Sequence, residues 1–123
     1  MLAKANRLTR GVDYRYVSRR GSRCAAGHLV THVVATGEPR PARFGFIVSK
    51  AVGNAVTRNL VRRRLKSVCA EALPDVTQGA DIVFRALPSS AGASFAELRA
   101  SARRGMSKRG ALVTATTGET AAS

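Results

Sequence analysis

The sequence predicts a single α+β domain built on one sheet. Three observations carry that prediction. Segments with helical and strand-like patterning follow one another in the order helix, strands, helix, strand, helix. The chain has 123 residues, enough for one compact domain and too few for two ordinary ones. Its hydrophobic share, 45%, is that of a folded domain rather than of a disordered chain.

Taken in order, residues 1–8 read as a loose basic arm. Residues 12–20 read as a short helix, with Val12 and Tyr16 one turn apart, Tyr14 and Val17 on a neighbouring stripe, and Gly21 as its stop. Residues 22–26 add a short strand. His28 to Thr36 is β-branched and reads as a longer one, with Leu29, Thr31 and Val33 on one face and His28, Val30, His32 and Val34 on the other. The turn Gly37-Glu38-Pro39-Arg40-Pro41 then leads into a strand from Arg43 to Ser49, which predicts an antiparallel hairpin with the strand before it.

Val52-Gly53-Asn54 breaks the strand pattern, and a helix runs from about Ala55 to Leu73, stopped by Pro74. Val61, Leu65, Val68 and Ala72 recur at the spacing of one buried face. At about 100° per residue, Arg58, Asn59, Arg62, Arg63 and Lys66 share an adjacent arc, and Arg64 falls on the opposite flank. Ala80 to Ala86 reads as a further strand. Ser94-Phe95-Ala96-Glu97 is a capping box opening a last helix, with Phe95, Leu98 and Ala102 on one face. Residues 1–108 thus form the predicted domain, and 109–123 a flexible tail.

Charge narrows the function. The chain carries 21 Lys plus Arg against 7 Asp plus Glu, a formal charge of +14. Such a domain repels itself unless an anion neutralises it. Of its basic residues 17 are Arg, the side chain that pairs bidentately with phosphate and stacks on bases. This points to nucleic acid, and toward RNA, where unpaired bases are open to stacking. The cations cluster in residues 4–23, in residues 58–66, and in Arg99, Arg103, Arg104, Lys108 and Arg109. No segment approaches the ~20 apolar residues of a membrane span. The first residues lack an apolar core of signal-peptide length, and Cys24 and Cys69 make no disulfide framework, so a soluble cytoplasmic protein is expected.

Groups that break bonds are scarce. His28 and His32 lie ~13 Å apart on an extended strand, too far to share a metal. Ser49 and Cys69 have no evident base, no carboxylate pair stands out, and there is no phosphate-binding glycine loop of the P-loop type. These features describe a binding module. A DNA-binding helix-turn-helix needs two adjacent helices, whereas the central helix here is flanked by strands.

The most informative stretch runs from Ser49-Lys50-Ala51-Val52-Gly53-Asn54-Ala55-Val56 to Thr57-Arg58-Asn59-Leu60-Val61-Arg62-Arg63-Arg64-Leu65-Lys66. A strand ends, a turn follows, and a helix opens whose N-terminal amides and arginine stripe both favour phosphate. This stretch resembles the hallmark of the bacterial ribonuclease P protein family: Ser-Lys, then Val-Gly-Asn-Ala-Val, then an Arg-Asn-Arg helix. Asn6-Arg7-Leu8, Asp13-Tyr14, Arg20-Gly21, Phe44-Gly45-Phe46-Ile47-Val48-Ser49 and Phe95-Ala96-Glu97-Leu98-Arg99 agree in order and spacing, so the similarity covers roughly residues 4–108. There are departures: Leu60 replaces the second Arg of the signature, Ala51 a common Lys, Ser18 a frequent Phe, and His32 a frequent aromatic residue.

The resemblance implies three helices packed on a four-stranded mixed sheet with a left-handed β-α-β crossover. It implies the protein subunit of a ribonucleoprotein endonuclease that removes the 5′ leader of precursor transfer RNA. In that family the catalyst is RNA, and Mg2+ is held mainly by the RNA and the substrate, which leaves no catalytic or metal-binding residue for the protein. Lys50, Asn54, Arg58, Asn59, Arg62, Arg63 and Lys66 would bind the catalytic RNA. Tyr14, Arg15, His32, Ser49 and Lys50 would bind the leader. No membrane and no stable protein partner is required. A ribosomal or general RNA-binding protein without an enzyme role is the alternative that charge and size allow; the ordered motif from Ser49 to Lys66 argues against it.

Overall fold

The computed structural model describes residues 2–113. Its elements are α1 (Gly11–Arg20), β1 (Ser22–Ala26), β2 (Leu29–Ala35), β3 (Arg43–Ile47), α2 (Ala55–Ala72), β4 (Ala80–Ala86) and α3 (Phe95–Lys108). The strands form one mixed sheet in the order β1-β2-β4-β3. β1 and β4 run antiparallel to β2, while β3 runs parallel to β4, with Arg43 opposite Asp81 and Ile47 opposite Arg85.

The expected hairpin between β2 and β3 does not form, because β4 lies between them. Eighteen residues of α2 carry the chain back along the sheet, so β4 starts at the same end as β3 and pairs with it in parallel. β4 also matches all seven residues of β2, from Leu29 opposite Ala86 to Ala35 opposite Ala80, where the five-residue β3 would leave part of β2 unpaired.

Helices cover both faces. α2 and α3 bury Val61, Leu65, Val68, Cys69, Ala72, Leu98, Ala102 and Met106 against Leu29, Val33, Phe44, Ile82 and Phe84 of the sheet. Full burial of each large side chain contributes about 1.5–3 kcal/mol, so this layer supplies most of the apolar stabilisation. Asn54 starts α2 by accepting the Thr57 amide at 2.9 Å, and both halves of the Ser94–Glu97 capping box are present.

α1 sits alone on the other face. Its buried contact is Val17, packed with Leu8 and Val83 beside the half-buried Tyr14, Val34 and Ile47. Val12 and Tyr16, one turn apart on the neighbouring stripe, are 51% and 55% exposed. A helix lying singly on a sheet buries one narrow stripe, and here that stripe is Tyr14 and Val17. Gly21 ends α1 at φ −73°, outside the left-handed region; glycine is required because a Cβ would stand 2.5 Å from the Val17 carbonyl oxygen.

The amino-terminal segment is docked rather than loose. Leu2, Asn6 and Leu8 are buried, Asn6 donates to the Ala42 carbonyl at 2.9 Å, and the Leu8 amide donates to the Phe44 carbonyl at 2.8 Å. Arg7 forms a parallel bridge with Phe44, extending the sheet past the edge of β3. At the other end, residues 111 and 112, expected in a flexible tail, are held against the domain. Ala111 is buried and Leu112 pairs with Val76, while residues 114–123 of the expected tail lie outside the described residues.

Candidate nucleic-acid interface

The solvent side of α2 carries the cationic arc. Asn59 accepts a hydrogen bond from Arg62 Nη1 at 2.9 Å, which aims the guanidinium along the helix. Asn59, Arg62, Arg63 and Lys66 together line an open depression of about 380 Å3. Arg58 is turned back, its Nε donating to the Gly53 carbonyl at 3.2 Å. Asn54 is exposed but uses its side-chain oxygen as the helix cap. Lys50 is exposed in the turn before the helix, and Ser49 beside it accepts the Ala51 amide at 3.3 Å. Leu60 is half-buried, off the apolar face as its wheel position predicts. Arg64, on the other flank, donates to the Ala93 carbonyl at 2.8 Å and ties α2 to the segment before α3.

A second concavity of about 260 Å3 lies between α1 and the sheet, walled by Tyr14, Arg15, Ser18, Arg19, Ile47 and Arg85. It brings together two of the five expected leader residues, Tyr14 and Arg15. Ser49 and Lys50 do not line it and are exposed just beyond the C-terminal end of β3. His32 is only 6% exposed and does not line the groove, so its ring is not presented for stacking. Neither ring nitrogen has a hydrogen-bond partner among the described residues. Burial, then the Arg85 and Arg23 charges, hold its pKa below the usual histidine value. The sequence reading missed Arg19, Ile47 and Arg85 as groove walls. Arg85 had a signal: it shares the period-two face of Asp81 and Val83, where an arginine in an otherwise apolar strand needs water or an anion.

A third cavity, about 220 Å3, opens at the free edge of β3 between Arg7, Leu8, Thr9, Tyr14, Phe44, Phe46, Arg62 and Lys66. Tyr14 joins it to the groove: its hydroxyl accepts the Phe46 amide at 3.1 Å.

Asp13 on α1 apart, the acids of the described residues are spent elsewhere. Asp81 holds Arg43 and Arg40, Glu38 holds Arg40, Glu71 holds Arg99 and Asp75 holds Arg103, each within 3.1 Å. Glu97 closes its cap. Two of the five cations of the third basic cluster are thus paired, leaving Arg104, Lys108 and Arg109 exposed toward the C-terminal end of α3, where the helix dipole favours cations. Among the described residues no three side chains of His, Cys, Asp or Glu converge as a metal site. Burial pushes the Cys69 thiol well up, which makes it a poor nucleophile.

Comparison with known proteins agrees with this geometry. The family model described as Ribonuclease P matches residues 2–110. The chain is 57% identical over 88 residues to the ribonuclease P protein component of Clavibacter michiganensis, covering 72% of this chain and 78% of that protein. It is 46% identical over 117 residues to that of a Nocardioides species, covering 93% and 99%. The solved ribonuclease P protein of Staphylococcus aureus shares the fold at a TM-score of 0.79 and 22% identity, over 89% of this chain and 99% of that one. That of Thermotoga maritima does so at 0.71 and 20%, over 80% and 92%. A cationic helix face without acidic partners, a groove under a lone helix, three helices on a four-stranded mixed sheet and this match along nearly the whole chain lead to one assignment: the chain belongs to the ribonuclease P family, as its protein component.

Proposed function

We propose that this subunit holds the catalytic RNA on the arc of Asn59, Arg62, Arg63 and Lys66, and the single-stranded 5′ leader of precursor transfer RNA in the groove between α1 and the sheet. One observation carries the reading: the cationic arc faces solvent while the acids of the described residues are paired with other arginines or spent in a cap, apart from Asp13 on α1. Two polyanions repel when brought together, and unpaired arginines between them relieve that repulsion by releasing counterions. In the groove, Tyr14 offers an aromatic edge and Arg15, Arg19 and Arg85 offer charge. Stacking and phosphate contacts tolerate sequence variation, as leaders that differ between substrates require.

In this reading hydrolysis belongs to the RNA. Magnesium rests on RNA and substrate phosphates, and the complex works in the cytoplasm. The protein acts by lowering the cost of crowding negative charge, so it reduces the magnesium needed for cleavage. Reconstitution with a bacterial ribonuclease P RNA tests this directly. The expected result is cleavage of precursor transfer RNA at magnesium concentrations where the RNA alone is slow; an unchanged magnesium dependence would reject the proposal.

A further inference from the structure

We propose that the cavity at the free edge of β3 is a binding pocket for one ribonucleotide, its phosphate taken by Arg7, Arg62 and Lys66 and its base laid against Phe46 and Tyr14. The inference rests on the reading that the partner is RNA and adds a site to it. Three elements build the pocket: the amino-terminal segment, the β3 edge and the middle of α2.

Arg7 is the informative residue. Its neighbours Asn6 and Leu8 are buried and hydrogen-bonded to Ala42 and Phe44, so the backbone of Arg7 is fixed on the sheet edge while its side chain is exposed. A solvated arginine needs no such anchoring. Holding it in place removes the ordering cost that a mobile arm would incur on binding. Arg62 and Lys66, one turn apart on α2, line the same cavity, and no acid does. Three cations around one concavity without a counter-charge call for an anion.

The apolar wall sets its chemistry. Phe46 stacks on Phe84 with ring centroids 6.2 Å apart, which fixes its ring, and it remains half-buried at the cavity. The strand-like pairing of the amino-terminal segment stops at Phe44; two residues on, the edge amide of Phe46 is satisfied by the Tyr14 hydroxyl instead. That change of partner opens the notch. At about 220 Å3 it lies below the ~300 Å3 at which drug-sized pockets begin, room for one unstacked nucleotide and not for a duplex.

The test uses the chain reconstituted with the catalytic RNA, and compares Arg7→Ala, Arg7→Lys, Lys66→Gln and the Arg7→Ala/Lys66→Gln double variant. Arg7 is exposed, so a thermal midpoint equal to that of the unmodified chain confirms each variant is folded. Arg7→Ala should weaken RNA binding about 5- to 30-fold and lower the salt slope by about one, with Arg7→Lys restoring the slope. The double variant should lose less than the product of the single losses, because both cations grip one phosphate. Loss of affinity for the catalytic RNA assigns the nucleotide to that RNA. Loss confined to precursor over mature transfer RNA assigns it to the leader. Unmodified affinity and slope for Arg7→Ala in both arms, or strictly multiplicative losses in the double variant, would overturn the pocket. An unmodified chain that binds no catalytic RNA would instead remove the reading on which the pocket rests.

Discussion

The Tyr14 hydroxyl accepts the backbone N–H of Phe46 at 3.1 Å, so a side chain of α1 completes the hydrogen bonding of the β3 edge. The bond holds the phenol ring between the groove and the edge cavity, since Tyr14 lines both. Tyr14→Phe keeps the ring and loses one bond of net worth about 0.5–1.5 kcal/mol, a cost that chemical denaturation would read. Tyr14→Ala also removes the ring. It should weaken precursor transfer RNA binding by the holoenzyme more than mature transfer RNA binding, and equal losses for both would take Tyr14 out of the leader site.

Gly45 is the counterpart of that ring. A Cβ at Gly45 would lie 2.6 Å from Tyr14 Cζ, so the ring, held by its bond from the Phe46 amide, would have to shift. Gly45→Ala should therefore displace α1 and destabilise the domain by roughly 1–3 kcal/mol, the usual cost of overpacking. Tyr14→Ala in the same chain removes the obstacle, so the double variant should recover part of the loss in urea melts. Absence of recovery would show that the strain falls elsewhere.

Much of this arrangement was legible in the residues. The face of α2 with Val61, Leu65 and Val68, the Ser94 cap and the limits of β4 followed from periodicity and local chemistry, which act over a few residues. Strand order did not. The turn from Gly37 to Pro41 is short enough for a hairpin, and consecutive strands usually pair. The pairing of Arg43 with Asp81, 38 residues apart, adds a side-chain tie between β3 and β4 that local patterning does not reveal. The docking of residues 2–8 was hidden for a similar reason: Leu2, Asn6 and Leu8 are too few to form a pattern until Ala42 and Phe44 supply their partners. The cationic arc of α2 was visible on a helical wheel. The burial of His32 was not, because strand alternation names a face without saying how much covers it.

The Arg43–Asp81–Arg40 cluster gives the domain an acid limit. Burial raises the Asp81 pKa, and hydrogen bonds from Arg43 and Arg40 outweigh it, leaving the carboxyl below its ordinary value near 3.8. A depressed carboxyl stabilises the fold above the unfolded pKa and loses that contribution as pH falls through the folded one. The Asp81 contribution should thus be flat near neutrality and fall away below about pH 4. Asp81→Asn should cost roughly 2–3 kcal/mol at pH 7, less than the ~3–5 of a fully buried pair because both arginines stay partly hydrated. The variant should also show a shallower acid transition in melts between pH 2 and 5. An unchanged transition would place the acid-sensitive group elsewhere.

His32 works in a higher window. Its pKa is lowered from 6.5 by burial and by Arg85 and Arg23, so the unfolded chain takes up a proton more readily than the folded one. Stability is complete above pH 6.5 and declines as pH falls below it toward the folded pKa. His32→Gln should flatten that decline and leave the Asp81 transition in place. Ring titration by NMR in the free protein would check the shift, and a midpoint at or above 6.5 would contradict it.

The α2 arc makes the most direct claim on function. Arg62 and Arg63 lie side by side on the helix, and Asn59 orients Arg62 at 2.9 Å. If each neutralises one phosphate, Arg62→Ala with Arg63→Ala should lower the salt slope for catalytic RNA binding by about two and weaken binding at every salt concentration. Asn59→Ala should reproduce part of the Arg62 loss without changing the charge, because it frees the guanidinium to wander. Arg64→Ala, on the opposite flank, should leave the slope unchanged and instead lower stability, since Arg64 spends its donor on the Ala93 carbonyl at 2.8 Å. A slope that falls equally for Arg64→Ala and for the Arg62/Arg63 pair would mean that the helix attracts RNA by charge alone, with no face of its own.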